Sequence, residues 1–219
     1  MDILLEKAGK KFYREWIFRN LDFTVSAGES LAVLGPNGSG KSTLLKVIAG
    51  SMMPSEGQIT YSSDGVITDP ADIFKDVSIS APYLELPEEF TLEEIVRFHF
   101  RFKRPVNSLT TAEIISITGL GHAAQKVFRY FSSGMKQRVK NALAILSDTK
   151  LLLLDEPCSN LDEDAINWYK ELVLKYAAGR VVVVCSNNQE SEVEHCLRRI
   201  NMADYKNRQS SPDLQHQLR

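Results

Sequence analysis

The sequence predicts an α/β fold, a sheet core interrupted by a helical sub-domain. Three observations predict it. The start of the chain is rich in short strand signals, and residues 35–43 form a glycine-rich bend between an apolar strand and a helix. Residues 87–146 carry helical patterns without a clear strand. Two apolar runs, 151–154 and 181–185, then return with a helix between them.

In chain order, residues 3–6, 21–25 and 31–34 read as strands, with breaks at Gly9, Asn20 and Ala27-Gly28. Leu44, Leu45, Val47 and Ile48 mark a short helix that stops at Gly50. Pro54 and Gly57 open a turn before a strand at 58–61. Thr91 with Glu94, and Thr110 with Glu113, have capping-box spacing and precede helical apolar patterns. Residues 151–154 read as a buried strand ending at Asp155. Asp162 is placed to cap a helix that buries Ile166, Tyr169, Val173 and Tyr176 and stops at Gly179. Residues 181–185 read as another buried strand, 192–197 as helix and 199–203 as a last strand. One domain is expected over 1–205, followed by a polar, disordered tail at 206–219.

Composition excludes several classes. The chain has 219 residues, 43% hydrophobic and 25% charged, enough for a core without covalent staples. A formal net charge of −2 argues against a broad basic surface, so no nucleic-acid partner is expected. Cys158, Cys185 and Cys196 have no metal-ligand spacing and read as reduced thiols. The start shows no signal-peptide pattern, and the apolar runs are too short to span a bilayer. A cytoplasmic chain is expected, with any membrane role exercised through a partner.

Residues 35–42 fit G-x-x-x-x-G-K-[S/T], after a strand and before a helix. Gly35, Gly38 and Gly40 let the backbone curl so that the N–H groups of Asn37, Ser39 and their neighbours turn inward. The helix N-terminus adds its positive end. Such a loop predicts a nucleotide as ligand. Lys41 supplies a charge to the β- and γ-phosphates, Ser42 ligates Mg²⁺, and Thr43 donates to the α-phosphate. Asp155, closing an apolar strand, is placed to hold the Mg²⁺ ion, through a water. Glu156 is placed to orient or deprotonate an attacking water.

Two further segments carry a family resemblance. Residues 130–138, YFSSGMKQR, resemble the signature segment of ABC ATPases, and Ser159-Asn-Leu-Asp162 resembles their D-loop. The resemblance spans 1–205. It implies a P-loop NTPase core of ABC ATPase type with an N-terminal antiparallel β sub-domain and an inserted helical one. It also implies a head-to-tail dimer that sandwiches two ATP molecules, and a separate transmembrane permease as partner. The chain is then expected at the cytoplasmic face of the membrane. Ser132 reads as the N-cap of a helix reaching about Leu146, so Ser132, Ser133 and Gly134 are expected to face a γ-phosphate across the dimer. An adenine-stacking aromatic is expected in the first hairpin. Phe12 aligns best, with Tyr13 and Trp16 as rivals.

The sequence departs from the family pattern in three places. The signature reads FSSGM, with Ser133 in place of a glycine and Met135 in place of a glutamine. Pro82 stands where the family's Q-loop glutamine aligns. Asn187 stands at the switch histidine, able to hydrogen-bond a phosphate but not to gain a proton. The expectation is retained ATP binding with slow hydrolysis, catalysed through Lys41, Glu156 and Asn187. Two alternatives stay open: a soluble assembly ATPase of the iron–sulfur type, and a hydrolysis-deficient cassette that pairs with an active one.

Overall fold

The computed structural model describes residues 1–206 and builds them around two sheets. Strands β1 (Asp2–Phe12) and β2 (Glu15–Val25) form a hairpin whose Ile3, Leu5, Ala8, Phe18, Leu21 and Val25 are buried. Gly9 and Asn20 do not end strands as expected. Both strands run through them, with register shifts along β1 and a left-handed φ of 53° at Asn20, so the irregularities bend the hairpin instead. Next come β3 (Ser30–Leu34) and helix α1 (Lys41–Ile48). Strand β4 (Glu56–Ser63) pairs antiparallel with β1, and the short β5 (Val66–Thr68), which the sequence reading missed, extends it. Val66 and Ile67 are exposed, so β5 carries no alternation to betray it.

The second sheet is parallel throughout. It adds β6 (Val77–Ser80), β7 (Leu151–Asp155), β8 (Val181–Ser186) and β9 (Arg198–Asn201), in the order β6-β7-β8-β3-β9. Continuous apolar runs suit such strands because both faces are covered. Alternate side chains divide between two cores. Leu151, Leu153, Val181 and Val183 pack with the antiparallel sheet and with Leu44, Leu45 and Ile48 of α1. Leu152, Leu154, Val182 and Val184 pack on the opposite face, against the helices.

Residues 87–146 hold α2 (Leu92–His99), α3 (Thr111–Ile117) and α4 (Ser133–Ile145). Both capping boxes form. The hydroxyls of Thr91 and Thr110 accept from the N–H groups of Glu94 and Glu113 at 3.2 and 3.3 Å, and the two carboxylates accept in return. Asp162 likewise caps α5 (Glu163–Tyr176) through the Ala165 N–H at 2.9 Å. The helix expected at 192–197 is instead α6 (Glu190–Val193), followed by a turn in which Cys196 N–H donates to Val193 O. Pairing of Arg198–Asn201 with β3 draws the chain out of helix, and β9 therefore ends earlier than the strand expected at 199–203. A last turn of helix, α7 (Ala203–Lys206), takes the first residue of the expected tail. The rest of that tail, 207–219, lies outside the described residues. Among the described residues, no helix is long and apolar enough to cross a membrane.

Buried polar groups tie the helical face to the sheet. Asn141 of α4 accepts from Ser80 Oγ at 2.7 Å and donates to Pro157 O at 2.8 Å. Gln137 donates to Asn141 Oδ1 at 3.1 Å. Helix α4 is thereby anchored to the ends of β6 and β7.

Two outcomes follow from this packing. Leu153→Ala removes a fully buried side chain and should cost about 3 kcal/mol in urea unfolding. His99 sits with Nε2 2.9 Å from Ser147 Oγ, and burial pushes its pKa from an ordinary 6.5 down to about 4. The unfolded chain therefore takes up a proton there that the folded chain refuses. Stability should fall as pH drops from about 6.5 toward 4, and His99→Gln should flatten that part of the profile measured by urea titration.

Candidate active site

The parallel register brings three strand ends together. Leu34 lies opposite Ser186, and Asp155 opposite Cys185, so the loops leaving β3, β7 and β8 emerge along one edge. The first of these loops is the glycine-rich bend. Gly40 has φ +101°, and a Cβ there would fall 2.5 Å from Ile17 Cγ2, so only glycine fits. No side chain caps α1 at Gly40, which leaves the amides of its first turn directed at the space beyond.

Lys41 is almost fully buried. Its ammonium donates to Gly35 O at 2.8 Å and Pro36 O at 3.2 Å, and stands 3.7 Å from Glu156 Oε1. The lysine thus braces the loop that it shares. Asp155 is buried at the end of β7. Burial pushes its carboxyl up from the ordinary range, a hydrogen bond from Ser42 draws it back, and neighbouring Glu156 adds to the rise. Glu156 has a left-handed φ of 46°, held by its N–H donating to Cys185 O at 2.9 Å. That conformation costs on the order of 1–2 kcal/mol in a non-glycine residue and turns the carboxylate out of the strand line.

A cavity of about 390 Å³ opens between these groups. Its lining joins Asn37, Gly38, Gly40, Lys41, Ser42 and Thr43 of the bend with Asp155 and Glu156, and with Ile17, Pro82 and Tyr83 from other elements. Gly35 and Ser39 are not part of that lining, and among the described residues the buried Ser39 Oγ has no hydrogen-bond partner. The cavity therefore combines free amides, one ammonium and hydroxyls around a polyanion-sized space. Among the described residues, no group of three or more His, Cys, Asp or Glu could hold a metal alone. Asp155 and Ser42 instead offer two hard oxygen donors. That set suits Mg²⁺ when ligand phosphates and water complete its shell.

Other expected residues lie elsewhere. Ser132 caps α4, its Oγ accepting from Met135 N–H at 3.2 Å. Gly134 packs so closely on the turn after β7 that a Cβ would meet Asn160 O at 2.7 Å. Ser132, Ser133 and Gly134 do not line the cavity of their own chain. Asn187 is exposed in the turn just past β8 and is also absent from the wall. Phe12 closes β1 as an exposed ring, with Lys10 Nζ 5.5 Å from its centroid. Neither it nor Tyr13 nor Trp16 lines the cavity, where Ile17 represents the hairpin.

Three residues escaped the sequence reading. Ile17 and Tyr83 shape the cavity, and the buried Glu192 accepts from Cys158 N–H at 2.9 Å. Burial pushes the Glu192 carboxyl up, against hydrogen bonds from Ser186 and Cys158 that pull it down. This carboxyl links the segment after Glu156 to the end of β8. In sequence it is one acid among several in a charged stretch.

Comparisons with known proteins show the family and the fold. A sequence profile of the family described as ABC transporter matches residues 18–159. The chain is 30% identical over 206 residues to the cytochrome c biogenesis ATP-binding export protein CcmA of Mesorhizobium japonicum, covering 93% of this chain and 100% of that one. It is 29% identical to the lantibiotic transport ATP-binding protein SrtF of Streptococcus pyogenes, covering 87% of this chain and 82% of the relative. Among solved structures, an ABC transporter ATP-binding protein from Pyrococcus furiosus superposes with a TM-score of 0.78 at 21% identity, over 94% of this chain and 99% of the other. A dimeric ATP-binding cassette holding ADP and Pi superposes with a TM-score of 0.76 at 23% identity, over 91% and 93%.

Proposed function

The chain belongs to the ABC transporter family of ATP-binding proteins, and from that membership we propose that it powers a separate membrane permease through ATP-driven dimerisation. It is an ABC-type ATPase with an α/β P-loop fold. The observation that carries the further reading is the shared cavity of Lys41, Ser42, Asp155 and Glu156. Export is the direction favoured by the names of the CcmA and SrtF relatives.

In this reading the amides of residues 37–43 and the Lys41 ammonium hold the phosphate chain. Mg²⁺, held by Ser42 and Asp155, supplies neutralising charge to the phosphates. Glu156 accepts the proton of the attacking water at a carboxylate oxygen. Lys41 stands within 3.7 Å of that carboxylate, so drawing its charge onto a phosphate frees Glu156 as a base. Ser132, Ser133 and Gly134 serve the second ATP across the dimer, which accounts for their place outside their own chain's cavity. Phe12, Tyr13 and Trp16 are the candidate platforms for adenine, each on the hairpin beside Ile17.

The permease docks beside residues 82–102. There a groove of about 680 Å³ is lined by Glu85, Leu86, Glu88, Lys136 and Lys140, with Lys136 paired to Glu88 at 2.6 Å. Docking there holds the chain at the cytoplasmic face of the membrane. Hydrolysis is slow because Pro82 has no side-chain donor and Asn187 cannot carry the charge of a histidine.

Lys41→Ala should lower Mg-ATP affinity at least tenfold in equilibrium dialysis, whereas Glu156→Gln should retain binding and lose turnover. Unchanged affinity in Lys41→Ala would remove the proposal. Asn187→His should raise the steady-state ATPase rate about tenfold or more. A rate equal to that of the unaltered protein would show that residue 187 does not act on the phosphate.

A further inference from the structure

Within the cavity, one polar side chain has no part in the reading above. Ala81, Pro82, Tyr83 and Leu84 form a turn closed by Leu84 N–H donating to Ala81 O at 3.1 Å. Proline at the second position presets that turn, and Lys140 Nζ holds Pro82 O at 3.2 Å. The turn places Tyr83 in the lining of the cavity that Lys41 and Ser42 also line. Lys46 of α1 stacks on the ring, its Nζ 4.4 Å from the ring centroid. Among the described residues, nothing accepts from or donates to the phenol oxygen.

The phenol also keeps its proton. Burial first, and then the Asp155 carboxylate, hold its pKa well above the ordinary tyrosine range. A phenol is in any case protonated, and so a donor, across physiological pH. The ring, 40% exposed, lines the same cavity as Asp155 and Glu156, and the Asp155 charge is near enough to act on the phenol.

We propose that Tyr83 is a phosphate-contacting residue that donates its phenol hydrogen to the terminal phosphate of the bound nucleotide. The inference rests on the ATP-site reading above. Pro82 sets the turn and Tyr83 supplies the donor, so the loop that lacks a glutamine side chain still delivers one hydrogen bond to the reacting end.

Tyr83→Phe tests this because it keeps the ring and its contact with Lys46 while removing only the hydroxyl. Binding of Mg-ATP and Mg-ADP is measured by equilibrium dialysis in the Glu156→Gln protein, with and without Tyr83→Phe. The expected result is a loss of about five- to tenfold in affinity for Mg-ATP, with Mg-ADP and the melting temperature unchanged. In the protein that retains Glu156, kcat should fall by a similar factor or more. Equal affinity for Mg-ATP in the two proteins would overturn the proposal while leaving the ATP-site reading intact. Equal losses for Mg-ATP and Mg-ADP would also overturn it, by assigning Tyr83 to general shaping of the cavity. If the Glu156→Gln protein binds neither nucleotide, both readings fall together.

Discussion

Parallel pairing of β3, β7 and β8 governs the rest of this molecule. Because the three strands run the same way in adjacent register, the glycine-rich bend, the Asp155-Glu156 pair and the turn after Ser186 all leave the sheet at one edge. Parallel strands need crossovers, and those crossovers place α1 on one face and the α4 and α5 layer on the other. The apolar runs of β7 and β8 are buried on both faces in consequence. The same burial that stabilises the sheet also desolvates the Asp155 carboxyl at its end.

Charges at that edge are arranged to be held rather than satisfied. Lys41 is braced by two loop carbonyls and approaches Glu156 at 3.7 Å, longer than a direct hydrogen bond. Glu156 keeps an unfavourable backbone conformation because its N–H is tied to β8. Ser39 Oγ is buried without a partner. Preorganisation of this kind costs folding energy that the packed sheet offsets, and it spares a bound polyphosphate the work of reshaping the loop.

The site is also wired to its surroundings. Asn141 and Gln137 join the helix that follows Ser132 to Pro157, two residues beyond Asp155. Glu192 joins Cys158 to the segment after β8. Buried hydrogen bonds thus join α4 to the segment that follows the acids, and a Cβ at Gly134 would meet Asn160 O at 2.7 Å. Such links are compatible with a cassette whose two functional surfaces act on different nucleotides.

The glycine-rich bend, both capping boxes, the Asp162 cap and the two apolar strands were legible in the sequence by itself. Each depends on residue types within a few positions: glycines where φ is positive, an oxygen three residues before a free N–H, and an unbroken apolar run. What the tertiary structure alone decided was which distant groups meet. Tyr83 enters the cavity through a proline turn and a lysine from another element, Glu192 reaches a backbone N–H 34 positions away, and α6 stops at Val193 because β3 claims the chain that follows. Phe12 lies outside the cavity wall, while Ile17 lines it, for a similar reason. Register shifts along the hairpin set which side of it faces α1, and a shift of one residue exchanges the two faces of a strand.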